Sequence, residues 1–250
     1  MAPLSLEGRT IVVTRAQGQA EDLCLRLRRK GARVVEAPLI RFVDPPSFTR
    51  LDGALARLAA YDAIVFTSVN AVDRFFARAR RLGLGRPAPP KKLFAVGPQT
   101  AQALRAAGWP TAVPGRRFSL ACGQRALLPR ALVAAADLPR WLRRHGATVL
   151  VAPAYQTVLD DAGARRLRRA CASRRIDAVT FTSGSTVDRF VAQLGAAAAR
   201  RLLKRAAAGS IGPITSQALR AHGLGSIVQA RLPTARSLCS ALELHFRGRK

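Results

Sequence analysis

The chain repeats itself once, at a constant offset of 115 residues, and this limits its architecture more than any other feature of the sequence. Gly8-Arg-Thr-Ile-Val-Val-Thr-Arg15-Ala16 returns as Gly123-Gln-Arg-Ala-Leu-Leu-Pro-Arg130-Ala131. Arg28-Arg29-Lys30-Gly31-Ala32 returns as Arg143-Arg144-His145-Gly146-Ala147, and Ala37-Pro38 as Ala152-Pro153. Asp62-Ala63 with Phe66-Thr67-Ser68 matches Asp177-Ala178 with Phe181-Thr182-Ser183. Val72-Asp73-Arg74-Phe75 matches Val187-Asp188-Arg189-Phe190, and Gly97-Pro98 with Thr100 matches Gly212-Pro213 with Thr215. A period this long is a duplicated domain and not a solenoid.

Within each copy, short β-branched runs alternate with amphipathic segments. The first copy predicts strands over 10–14, 33–37, 63–67 and 93–96. Its helices are expected over 20–30, 51–60, 70–81 and 98–107. The second copy predicts strands over 125–128, 148–152, 178–182, 208–211 and 226–229. Its helices are expected over 137–145, 164–172, 186–194, 214–221 and 237–245. Strands alternating with helices of this length mean a parallel sheet covered on both faces. Pro139 is tolerable only if it lies in the first turn of its helix.

Composition removes several classes. Apolar residues make up 49% of the chain, enough for a core. No apolar run approaches the ~20 residues of a membrane helix, and the start lacks the pattern of a secretory signal. Cys24, Cys122, Cys171 and Cys239 are widely spread and are expected to be isolated buried thiols of a cytoplasmic protein. His145, His222 and His245 do not cluster at ligand spacing, so metal catalysis is not expected. His145 and His222 each precede a glycine at a helix end, where a cap facing the dipole is the plain reading. With 42 Lys plus Arg against 14 Asp plus Glu, the formal charge is +28. Such a charge raises nucleic acid as a partner. Against this, no recognition helix, RNA-binding sheet motif or zinc module is visible. Only five of the basic residues are lysines, and Arg with Ala in excess is also what a GC-rich coding sequence produces.

Open parallel sheets bind ligands beyond the carboxyl ends of their strands, at helix N-termini. Thr67-Ser68, Thr182-Ser183-Gly184-Ser185, Gly97 to Thr100 and Gly212 to Thr215 all fall there. Their hydroxyls, with the free N–H groups of a first helical turn, can donate to an anion. For each loop taken alone, ordinary helix capping is the competing reading. Four such loops, paired by the repeat, point to a ligand cleft.

These residues together resemble uroporphyrinogen-III synthase, a family of tetrapyrrole biosynthesis. The marks are Val13-Thr14-Arg15, Ala37-Pro38-Leu39-Ile40, Tyr61-Asp62 with Phe66 to Val72, and Ala95-Val96-Gly97 with Thr100-Ala101. They continue with Leu127-Leu128-Pro129-Arg130, Ala154-Tyr155-Gln156-Thr157, Ile176-Asp177 with Phe181 to Val187, and Ile211-Gly212-Pro213 with Thr215-Ser216. The resemblance implies an α/β fold of two flavodoxin-like (HemD-like) lobes with parallel sheets, joined by a two-segment linker. Lobe one would hold residues 1–38 and 157–250, and lobe two residues 39–156.

The resemblance also implies a monomeric cytoplasmic lyase that uses no metal or cofactor. Its substrate would be hydroxymethylbilane, a linear tetrapyrrole with eight carboxylates. Water leaves to give an azafulvene cation, the end ring is attacked at its substituted carbon, and the spiro intermediate fragments and recombines. The product is uroporphyrinogen III, with the last ring inverted. Tyr155 would be the acid that helps water leave, since a phenol stays protonated at neutral pH. Substrate carboxylates would be held by Thr67, Ser68, Gly97, Thr100, Thr182, Ser183, Gly184, Ser185, Gly212 and Thr215. Arg15 and Arg130, equivalent in the repeat, would add charge, with ordinary surface arginine as the competing reading. One departure is Arg117 to Gly123, where at most one helical turn fits in place of a full helix. It motivates an alternative: a catalytically weakened bilobal protein that binds an anionic tetrapyrrole.

Overall fold

A computed structural model describes residues 4–110, 122–173 and 175–247. The chain divides into two compact units, Met1–Arg41 with Val158–Lys250, and Phe42–Thr157.

In unit 1, β1 (Thr10–Val13) leads to α1 (Glu21–Arg29) and β2 (Arg33–Glu36). The chain then leaves and returns as α6 (Asp161–Ser173), β8 (Ala178–Phe181), α7 (Gly184–Leu194) and α8 (Ala196–Arg205). It finishes with β9 (Ala207–Ser210), α9 (Pro213–Ala221), β10 (Ile227–Gln229) and α10 (Ala235–Arg247). The sheet order is β10-β9-β8-β1-β2, with every pairing parallel. Strands β1, β8 and β9 are buried along their whole length, as a sheet covered on both faces requires. Alternate residues of β1 feed opposite layers. Ile11 and Val13 pack with Leu23 and Leu27 of α1 and Leu238 and Leu242 of α10. Val12 joins Val179, Phe181, Leu167, Phe190, Leu203 and Leu219 on the other side.

Unit 2 holds β3 (Ile40–Val43), α2 (Thr49–Ala56), a 3₁₀ turn (Leu58–Ala60), β4 (Ala63–Phe66) and α3 (Val69–Arg81). It continues with β5 (Lys92–Ala95), α4 (Pro98–Ala106), β6 (Arg125–Ala131), α5 (Asp137–Arg144) and β7 (Thr148–Leu159). Its sheet order is β3-β7-β6-β4-β5. Ile64, Phe66 and Leu127 pack under α2, α3 and α4 around an aromatic group of Phe66, Phe75, Phe76 and Trp109. Phe75 is fully buried, and truncating such a ring to alanine costs roughly 3–5 kcal/mol. On the opposite face, Val65 and Leu128 meet Leu142 of α5. The boundaries between units fall inside β3 and β7, so each unit joins the first two strands of one copy to the later strands of the other.

The duplication is visible in atomic detail. Asp62 accepts from the Arg125 N–H at 2.9 Å, and Asp177 accepts from the Thr10 N–H at 2.9 Å. Both pairs tie strand starts together at the amino edge of their sheet. Phe66 meets Phe75 edge-on at 5.3 Å, and Phe181 meets Phe190 edge-on at 5.1 Å.

Several expectations need correction. Residues 196–205 form α8, which was not expected. Its counterpart in the first copy, 81–90, contains Gly83, Gly85, Pro87, Pro89 and Pro90, so the repeat carried no helical signal there. Residues 40–43 form a strand, and β7 runs to Leu159 instead of ending at Ala152. Pro129 sits within β6, but beyond the last pair with β4 (Ile64 with Leu127), where no ladder bond needs its missing N–H. Cys122 is exposed in the turn before β6 and Cys171 is half-buried; only Cys24 and Cys239 are buried thiols. Pro139 is the third residue of α5, inside the first turn. The short link at 117–121 lies outside the described residues.

Candidate active site

In unit 2 the candidate residues collect at the carboxyl ends of β4, β5, β6 and β7. Ser68 follows β4 in extended geometry and caps α3, accepting from the Ala71 N–H at 3.2 Å. Its Oγ also lies 3.2 Å from the Tyr155 hydroxyl. Tyr155 is buried, with its ring edge-on to Phe42 at 5.5 Å. A register shift between β6 and β7 brings it to this place. Arg130 pairs with Pro153, but Ala131 pairs with Tyr155, leaving Ala154 as the extra residue. Such irregularities re-aim side chains at the ends of ladders. Thr67 precedes the cap and is half-buried.

Gly97 caps α4 with φ +88°, a conformation that disfavours other residues, and a Cβ there would meet open space. Pro98 then starts the helix without removing a needed N–H. Thr100 is buried within the first turn of α4. Arg130, also buried, donates from Nη2 to the Ala135 carbonyl at 2.8 Å, while its Nε has no partner among the described residues.

Unit 1 repeats the arrangement at the ends of β1, β8 and β9. Ser183 caps α7, accepting from the Thr186 N–H at 3.3 Å. Its Oγ lies 2.8 Å from Thr186 Oγ1 and 3.0 Å from the exposed Ser185 Oγ. Thr182 and Gly184 flank it, and Gly184 lets the start of α7 approach Ala218 of α9. Gly212 caps α9 in extended geometry, its carbonyl accepting from Ser210 Oγ at 2.9 Å. Thr215 is buried in the first turn. Arg15 follows β1, where burial lowers the pKa of its guanidinium, opposed by the charge of Asp22.

A family model described as "Uroporphyrinogen-III synthase HemD" matches residues 21–240. The chain belongs to this family. It is 34% identical over 236 residues to the uroporphyrinogen-III synthase of Synechococcus elongatus, covering 86% of this chain and 87% of that one. A crystal structure of a mutant uroporphyrinogen III synthase from the extreme thermophile Thermus thermophilus matches with TM-score 0.70 and 21% identity, over 97% of this chain and 100% of that one. A uroporphyrinogen-III synthetase from Helicobacter pylori matches with TM-score 0.64 and 22% identity, over 96% and 100%. These two likenesses establish the shared fold.

In this uroporphyrinogen-III synthase family member, the structure brings Ser68 into contact with Tyr155 in unit 2 and Ser183 into contact with Ser185 in unit 1. The unit 1 candidates form their own group on a separate sheet. Among the described residues, no group of three or more His, Cys, Asp or Glu could hold a metal ion. His145 Nδ1 meets the Trp141 carbonyl at 2.8 Å at its helix end, and His222 pairs with Asp188 at 2.8 Å. Among the described residues, no helix is long and apolar enough to cross a membrane. Reading the sequence missed Phe42, because its strand was not expected. It also missed Gln17 and Arg166, which line a cleft beside Arg15. Arg166 lies in a basic run whose spacing does not separate it from its neighbours.

Proposed function

We propose that the chain is a uroporphyrinogen-III synthase, a cyclising lyase that closes hydroxymethylbilane to uroporphyrinogen III. Water is lost and the last pyrrole ring is inverted. The observation that carries the reading is the hydroxyl of the buried Tyr155 lying 3.2 Å from Ser68 Oγ, at the edge where an open parallel sheet binds its ligand.

Ser68 Oγ already accepts one N–H, from Ala71. A hydroxyl has one proton to donate and two lone pairs. Ser68 can therefore donate its O–H in a hydrogen bond to the Tyr155 oxygen. Tyr155 then gives its own proton to the departing hydroxyl of the substrate, and the Ser68 O–H stabilises the charge left on the phenol oxygen. This is general acid assistance of the ordinary kind, worth ~10²-fold or more. Ring inversion also requires that the unrearranged closure be prevented, which is a matter of holding the chain in one geometry. The capped starts of α3 and α7, with the N–H groups after Gly97 and Gly212, support a role in holding substrate carboxylates. Thr100 and Thr215, both buried, would act through their backbone.

The reading includes a monomeric enzyme of the cytoplasm. Four free cysteines fit a reducing compartment. The test is anaerobic incubation with enzymatically generated hydroxymethylbilane, following its consumption against a protein-free control. Acceleration is expected. Tight tetrapyrrole binding with no acceleration would favour the weakened binding protein instead.

A further inference from the structure

The cleft beside Arg15 belongs wholly to unit 1, and none of its lining residues comes from the hydroxyl-bearing loops after β8 and β9. It encloses about 410 Å³ and is lined by Arg15, Gln17, Arg28, Glu36, Pro38 and Arg166. Three guanidinium groups face one carboxylate there. That carboxylate is already taken, since Arg28 Nη2 donates to Glu36 Oε1 at 2.6 Å. Arg166 is anchored from behind by Nε, which donates to the Glu36 carbonyl at 2.9 Å. A guanidinium held by Nε still has its outer N–H groups to offer.

Arg15 has a different problem. It is half-buried, and burial lowers its pKa. Yet among the described residues it makes no hydrogen bond or ion pair, and Asp22 reaches it only through its charge. A desolvated cation without a partner is costly, and proteins keep one where a ligand completes the pair.

The geometry of α6 is built around this cleft. Gly163 lies so close to Pro38 that a Cβ would overlap the Pro38 carbonyl. Asp160 fixes the approach by accepting from the Gly163 N–H at 2.9 Å. Arg166 follows one turn later, which is how it reaches the Glu36 carbonyl.

We propose that Arg15 and Arg166, with the Gln17 amide, form a carboxylate-binding subsite of unit 1 that grips a carboxylate of the substrate. Planar guanidinium groups match a carboxylate with paired N–H donors. The inference rests on the reading that the substrate is a linear tetrapyrrole polycarboxylate.

The test titrates the full chain with uroporphyrin I, a fluorescent octacarboxylate, at fixed salt. The set comprises wild type, Arg15→Gln, Arg166→Gln, the double variant and Arg15→Lys. Arg33→Gln, at the amino end of β2 and outside the cleft lining, controls for lost charge. Thermal unfolding checks that each is folded. Each Gln single variant is expected to weaken binding about tenfold, as loss of a hydrogen bond to a charged group does. The double variant should lose less than the product, because both arginines share one carboxylate. Arg15→Lys should fall between, keeping the charge but losing the fork. Arg33→Gln should stay within twofold. The proposal is overturned if both Gln variants bind within twofold of wild type, or if Arg33→Gln loses as much as they do. Binding that depends on both arginines in a chain that fails to accelerate closure would keep the subsite and reject the synthase reading. Normal turnover with a KM unmoved by Arg15→Gln would do the opposite.

Discussion

The hydroxyls of Ser68 and Tyr155 meet at 3.2 Å although 87 residues separate them in sequence. Ser68 comes from the turn after β4 and Tyr155 from the far part of β7, and the shift in the β6–β7 register brings them together. Tyr155→Phe should lower kcat by ~10²-fold and leave the fold intact, because the ring keeps its packing against Phe42. Ser68→Ala should lower kcat less and also destabilise the protein by about 1 kcal/mol, through loss of its cap. Ser183→Ala, the equivalent cap in the other unit, should destabilise to the same degree with little effect on kcat. Rates and thermal unfolding of the three variants check this. An unchanged kcat in Tyr155→Phe removes the acid role.

Arg15 predicts an opposite balance between stability and function. Its guanidinium loses water on folding and gains no partner among the described residues. Arg15→Met keeps the length of the side chain and removes the charge. Its melting temperature should rise while KM also rises. A fall in melting temperature would show that the guanidinium is already satisfied.

Glu243 links acid pH to stability. Burial pushes its carboxyl pKa up, but hydrogen bonds from Ser5 and Lys30, with the Lys30 charge, outweigh this and lower it overall from its ordinary 4.5. A carboxylate with a lowered pKa in the folded state stabilises the protein at neutral pH. That contribution is lost as pH falls through the folded-state value, where the group takes up its proton. Melting curves of wild type and Glu243→Gln should therefore differ most near pH 7 and draw together as pH falls below the ordinary 4.5. A gap that stays constant to pH 3 would contradict the assignment.

Thiol chemistry should divide the cysteines. Burial, with the neighbouring Glu36 charge, pushes the Cys24 thiol up to about 11. Burial, with Glu243, pushes Cys239 up to about 11 as well. Cys122 is exposed. Since the thiolate is the reactive form, iodoacetamide at pH 8 should modify Cys122 in the native protein and spare Cys24 and Cys239. Mass spectrometry of the labelled peptides reads the outcome; equal labelling of all three would contradict the burial.

Much of the fold was legible because the duplication gave each weak pattern a second reading. Asp62 and Asp177 both precede strands, and Ser68 and Ser183 both open helices; the members of each pair accept from equivalent backbone N–H groups. What stayed hidden had no counterpart at the 115 offset. The equivalent of Tyr155 is Ile40, so the repeat could not mark it, and only resemblance did. Arg166 corresponds to Leu51, and its place in the cleft depends on Gly163 meeting Pro38, a contact between distant parts of the chain. Helix α8 was hidden because the glycines and prolines of the first copy gave no helical template.

If this chain directs ring inversion, the isomer composition of its product shows it. Hydroxymethylbilane closes without inversion to the type I isomer when nothing directs it. Incubated with the purified chain and resolved by chromatography, the product should be predominantly the type III isomer, with the fraction falling toward the protein-free value in Tyr155→Phe. A product that is only type I, at protein concentrations where the substrate is bound, would show that the chain does not direct ring inversion.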